Sequence, residues 1–123
     1  MEQAALERWG RGDPDGFLEI SAEDVVYFDP YVTKRVDGRA ALRARYDQIR
    51  GQVRVDRFEM IAPEVQFCGE AAVLTFNHVS FIGDRTVRWN CTEVFRRCGA
   101  GWEIIQTHWS LTTHPAIVGG AAQ

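Results

Sequence analysis

The 123-residue chain has no uninterrupted apolar run approaching the ~18 residues that a bilayer-spanning helix needs. Its start, Met1-Glu2-Gln3, lacks the basic segment and apolar stretch of a secretory leader. Cysteine is scarce and odd in number: Cys68, Cys91 and Cys98 show no Cys-x-x-Cys spacing. That argues against a disulfide framework or a structural zinc, and for free thiols in a reducing cytoplasm. Positive charge is in deficit, with 14 Lys and Arg against 17 Asp and Glu and a formal net charge of −3. A nucleic-acid-binding surface usually carries the opposite sign, so neither nucleic acid nor a membrane is an expected partner. No glycine loop followed by lysine is present to cradle a phosphate, and His78, His108 and His114 stand at no metal-ligand spacing. No cofactor and no metal are therefore expected. Repeats, linkers and low-complexity blocks are missing as well, so residues 1–123 read as one domain.

What is abundant is apolar and aromatic. Hydrophobic residues make up 46% and aromatics 11%, including Trp9, Trp89, Trp102 and Trp109. The first half reads helical. Ala5, Leu6 and Trp9 form a stripe on a first helix that stops at Gly10 or Gly12, and Asp13-Pro14 opens a short second helix through Ile20. Val25 to Phe28 reads as a strand ended by Asp29-Pro30. Asp37 reads as the cap of a third helix, in which Leu42, Tyr46 and Ile49 recur at i, i+4 and i+7. Arg39, Arg43, Arg45 and Arg50 fall on its other faces, with Arg43 and Asp47 spaced to pair at i, i+4. From Val53 the pattern changes to extended segments, roughly 53–68, 71–82, 85–98 and 102–113, punctuated by glycine-containing turns. The tail from Gly119 to Gln123 reads as loose. Helices gathered on one side of a meandering sheet make this an α+β chain.

Turn lengths fix the register, and the register decides which residues share a face. A two-residue loop at Gly83-Asp84 sets His78 opposite Trp89, Phe76 opposite Cys91 and Leu74 opposite Glu93. A three-residue loop at Gly99-Ala100-Gly101 sets Trp89 opposite Leu111, Cys91 opposite Trp109, Glu93 opposite Thr107 and Phe95 opposite Ile105. These residues form the core face. The other face carries Thr75, Asn77, Arg88, Asn90, Thr92, Gln106 and His108, with Val79 and Val94 between them. It is too polar for a core, and it suits either a wet subunit interface or a solvated surface. Glu93 is the anomaly, because an unpaired carboxylate on an apolar face is costly. Either Thr107 and an arginine from a helix satisfy it, or it lines a cavity. His78 lies about 13 Å from the Glu93 level in a flat sheet, too far to form a pair. Trp9, Trp89 and Trp109 gather around Glu93 in this reading, whereas Trp102 sits structurally at a hairpin end.

Three groups of residues carry a family resemblance: Gly-Asp-Pro-Asp-Gly-Phe at 12–17; Tyr-Phe-Asp-Pro at 27–30 with Val-Asp-Gly at 36–38; and the closing strands Thr92 to Arg97 and Thr107 to Ser110. The ordered set resembles the nuclear transport factor 2-like superfamily, and most nearly its SnoaL-like and ketosteroid isomerase-like branches. The resemblance implies a cone-shaped, strongly curved antiparallel sheet, a cystatin-like half-barrel, packed on three helices. It also implies acid–base work on a small apolar carbonyl compound by an isomerase, cyclase or hydratase. Its candidate catalytic residues are Asp29 as base before the proline, Glu93 as a neutral donor, and His78. The residues expected to line the ligand pocket are Trp9, Tyr31, Tyr46, Phe76, Trp89, Thr107 and Trp109. A tyrosine expected on the first helix is replaced by Ala5, which removes half of an oxyanion hole. The final strands also resemble the association domain of calcium/calmodulin-dependent protein kinase II, and this implies the alternative of a non-catalytic ligand-binding and association module. A homodimer through the sheet face is the expected assembly.

Overall fold

Nine elements follow one another in the computed structural model, which describes residues 1–112. The helices are α1 (Glu2–Gly10), α2 (Asp15–Ile20) and α3 (Arg39–Asp47). The strands are β1 (Ser21–Phe28), β2 (Val36–Asp37), β3 (Arg57–Cys68), β4 (Ala71–Ile82), β5 (Arg85–Cys98) and β6 (Gly101–Leu111). His114 and the tail lie outside the described residues. The strands form a single curled, unclosed sheet in the order β2-β1-β6-β5-β4-β3, the cone of the nuclear transport factor 2-like fold. All its pairings are antiparallel except β1 with β6, which run parallel because the whole chain between them intervenes. No helix among the described residues is long and apolar enough to cross a membrane.

Local chemistry explains most of the boundaries. Asp13 Oδ1 accepts the backbone N–H of Asp15 at 3.0 Å, which opens α2. Gly12 sits at φ +86°, and a Cβ there would meet Gly51 Cα at 3.0 Å, so only glycine fits without strain. Asp37 does not cap α3. It belongs to the short strand β2, opposite Val26, and Gly38 precedes the helix at φ +92° without any side-chain cap. Asp47 pairs with Arg50 at 2.9 Å rather than with Arg43.

Register is where the fold positions its site. The Gly83-Asp84 loop gives the expected pairs, with His78 opposite Trp89, Phe76 opposite Cys91 and Leu74 opposite Glu93. At the β5–β6 turn Cys98 pairs with Gly101, leaving a two-residue loop, and Phe95 faces Ile104 instead of Ile105. A bulge between Val94 and Phe95 restores the expected pairs Glu93–Thr107, Cys91–Trp109 and Trp89–Leu111. A second bulge in β3 falls between Ile61 and Glu64, with Ala62 at φ +51°. It switches the strand's parity, so that Phe58 and Met60 on one side and Val65 and Phe67 on the other share the inner face. Without it Glu64 and Gln66 would point inward. The core joins Ala5 and Leu6 of α1, Phe17 and Leu18 of α2, and Leu42 and Tyr46 of α3 to the inner face of the sheet.

Candidate functional site

Between α1, α3 and the inner face of the sheet lies a cavity of about 580 Å³, within the range of small-molecule sites. Its wall is aromatic, and the rings meet edge-to-face. Trp9 stands 5.2 Å from Tyr46, Tyr46 5.8 Å from Tyr27, and Trp89 6.0 Å from Trp109. Such contacts fix each ring in place and present both ring faces and edges to a ligand.

A few polar groups interrupt this wall. Asp29 ends β1, and the turn at Pro30 uses it as the sequence suggests, with Oδ1 accepting the N–H groups of Tyr31 and Val32 at 2.7 and 3.1 Å. The other oxygen, Oδ2, faces the cavity and accepts the Tyr27 hydroxyl at 2.7 Å. Arg45 of α3 approaches that oxygen to 3.9 Å. Arg45, on one of the other faces of the helix in the sequence pattern, lines the cavity beside Tyr46. Burial pushes the Tyr27 and Tyr46 phenols far above their usual range, so both remain protonated donors.

His78 enters from β4. It stacks on Phe58 at 5.5 Å and meets the edge of Trp109 at 5.4 Å. It is 7% exposed, its Nδ1 has no hydrogen-bond partner, and burial lowers its pKa to about 4. The ring is therefore neutral at physiological pH and keeps unused hydrogen-bonding capacity in an aromatic cage.

Of the residues expected at the pocket, Trp9, Tyr31, Tyr46, Trp89 and Trp109 line the cavity, together with Asp29 and His78. Phe76, Thr107 and Glu93 do not line it. Trp89 and Trp109 thus stand at His78 and Trp9 at Tyr46, rather than around Glu93. Glu93 is fully buried on β5, and among the described residues no arginine pairs with it. Thr107 donates its hydroxyl to Glu93 Oε2 over 3.4 Å, and the second neighbour is another carboxyl, that of Glu2 on α1. Burial first, and then this acidic neighbour, push the Glu93 carboxyl well above the usual carboxylate range. Glu2 is displaced upward too, chiefly by burial. The sequence does carry a signal for Glu2: it stands at i, i+4 and i+7 with Leu6 and Trp9 of the first helix's apolar stripe.

The chain belongs to the SnoaL-like domain family, whose model matches residues 3–114. It is similar to a protein of Parabacteroides distasonis provisionally designated a ketosteroid isomerase, at 42% identity over 91% of this chain and 85% of that one, with a TM-score of 0.81. A nuclear transport factor 2-like protein of unknown function from Pseudomonas putida is 26% identical over 89% of this chain and 82% of that one, with a TM-score of 0.73. The calcium/calmodulin-dependent kinase II hub of S. rosetta shares the fold, with a TM-score of 0.73 at 23% identity over 90% of this chain and 91% of that one. No curated protein matches the chain significantly.

Proposed function

We propose that the cavity binds a small, largely apolar carbonyl compound and that its polar groups move a proton on it. The observation that carries this reading is the buried imidazole of His78, with Nδ1 unpaired, set in the aromatic wall of a cavity of about 580 Å³. A neutral imidazole can donate a hydrogen bond to a carbonyl oxygen on which charge develops. Asp29 Oδ2 then accepts a proton from the carbon beside that carbonyl and returns it to another carbon, or to a leaving oxygen, as an isomerase, cyclase or hydratase requires. Tyr27 steadies the carboxylate through its hydroxyl. Proton transfer by a positioned group is worth about 10²–10⁴-fold in rate. The similarity to the Parabacteroides protein supports this class of chemistry.

Binding is tested first. Cyclic ketones and enones are titrated against the intrinsic tryptophan fluorescence, with Ile49→Trp as a variant that fills the cavity. Saturable quenching that weakens about 10-fold or more in the variant is expected, because a filled pocket admits little ligand. Quenching by none of the compounds would oppose the reading.

The outer sheet face favours a second copy of the chain as partner. Asn77 Nδ2 donates to Asn90 Oδ1 at 2.8 Å, and Asn90 Nδ2 donates to Ser110 Oγ at 3.2 Å, forming an exposed polar row across three strands. Such a row suits a wet, hydrogen-bonded homodimer interface. Light scattering should give a dimer that Asn90→Arg converts to a monomer; a monomeric native protein would refute this assembly.

A further inference from the structure

Behind the cavity, three side chains converge from two elements that are remote in sequence. The carboxyl of Glu2 on α1 meets Cys91 and Glu93 on β5, and one ligand atom from each lies within 4.8 Å of the other two. Their exposures are 6%, 2% and 0%. We propose that Glu2, Cys91 and Glu93 bind a divalent transition-metal ion, zinc being the best match to the donor set.

Unmet hydrogen-bonding capacity supports this assignment. Both oxygens of Glu2 and Oε1 of Glu93 are buried, and no hydrogen-bond donor other than the neighbouring carboxyl reaches them. Among the described residues, no lysine, arginine or histidine forms an ion pair with either carboxyl, and the one positive charge acting on Glu2 is the amine at Met1. Two explanations compete. A single proton shared between the carboxyls would satisfy two of the three orphan oxygens and leave the thiol idle. A cation held by both Glu2 oxygens, Glu93 Oε1 and Cys91 Sγ satisfies every one of them. Metal ligands stand about 2.0–2.3 Å from zinc, so ligand atoms within 4.8 Å of one another must draw slightly closer on binding. Thr107, whose hydroxyl reaches Glu93 Oε2, would orient that ligand from behind.

The donor set selects the metal. A thiol beside two carboxylates favours zinc or its analogue cobalt over magnesium and calcium, which take oxygen ligands alone. On binding, the Cys91 S–H bond breaks and the sulfur keeps the electron pair as a thiolate ligand; that proton, together with any proton the two carboxyls hold in the metal-free chain, leaves to solvent. No redox change is involved. The ion would join the first turn of α1 to the sheet behind Tyr46, and so would brace the cavity without touching its contents.

The test uses the full chain carrying Cys68→Ser and Cys98→Ser, because those two thiols are exposed and could bind metal on their own. The protein is stripped with a chelator and titrated with Co²⁺. A thiolate-to-cobalt charge-transfer band that Zn²⁺ abolishes is expected, along with a higher melting temperature in Zn²⁺. Cys91→Ala should lose the band, and Glu93→Gln or Glu2→Gln should weaken binding by about 100-fold. Absence of the band, or Zn²⁺ shifts equal in the parent and Glu93→Gln, would overturn the site. An infrared carbonyl band of a protonated acid that Zn²⁺ leaves unchanged and Glu93→Gln removes would assign the cluster to a shared proton instead.

Discussion

At the scale of single residues, burial sets the chemistry. His78 has an ordinary pKa of 6.5, and its surroundings lower this to about 4 in the folded chain. Between those values the unfolded chain binds a proton that the folded chain refuses, so stability drops as pH is lowered through that window and is complete above it. The loss is about 2–3 kcal/mol over the window. Urea unfolding at about pH 7 and about pH 4.5 should show it, and His78→Gln should flatten that part of the profile. An unchanged profile in the variant would place the titration elsewhere. Legibility at this scale was uneven. Register and the Asp-Pro turn pointed to His78, Trp89, Trp109 and Asp29, and the stripe of the first helix to Trp9, all of which line the cavity. Arg45 was missed, because a helical wheel shows which residues share a face but not that a cavity has opened beside an arginine.

At the scale of elements, turns and bulges govern what reaches the site. The Gly83-Asp84 turn made the β4–β5 register readable, and with it the pairing of His78 with Trp89. The Gly99-Ala100-Gly101 segment was ambiguous: a two-residue loop plus a bulge gives the same pairs at Glu93 and Trp109 as a three-residue loop without one. Between the bulge and the turn every pair shifts by one, so Arg96 faces Glu103 and Arg97 faces Trp102, and at Phe95 the sequence offers two adjacent isoleucines to choose from. The β3 bulge was hidden because Pro63 reports an interruption without saying which parity follows. Ala62 holds φ +51° there, a left-handed conformation that costs an alanine roughly 1–2 kcal/mol. Ala62→Gly relieves it at some cost in unfolded-chain entropy, so a net gain of about 0.5–1 kcal/mol is expected in denaturant midpoints. A loss of stability would contradict the bulge geometry.

At the scale of the whole molecule, the α+β cone was legible because motifs, turns and periodicity agreed on one order of elements. Two features were beyond the sequence for a shared reason. The parallel pairing of β1 with β6 and the meeting of Glu2 with Glu93 both join the two ends of the chain, and spacing arguments carry no information over that separation. The fate of Glu93 illustrates this. Its burial followed from register, but its neighbour proved to be a carboxyl on the first helix rather than an arginine. Tyr46 lines the cavity, and its phenol is pushed upward by its own burial and further by Glu93, Asp29 and Glu2. The cavity offers a ligand an aromatic chamber, and the buried acids lie where α1 meets the sheet.

The central claim, proton transfer within that chamber, is tested most directly by hydrogen–deuterium exchange at the carbon beside the carbonyl of a bound cyclic ketone. NMR in heavy water would follow the exchange with the native chain and with Asp29→Asn. The native chain should accelerate exchange well above the buffer rate, and Asp29→Asn should lower that acceleration by about 10²-fold or more while tryptophan quenching by the same ketone persists. Exchange at the buffer rate with a ketone that demonstrably binds, or equal rates in the two proteins, would contradict the account.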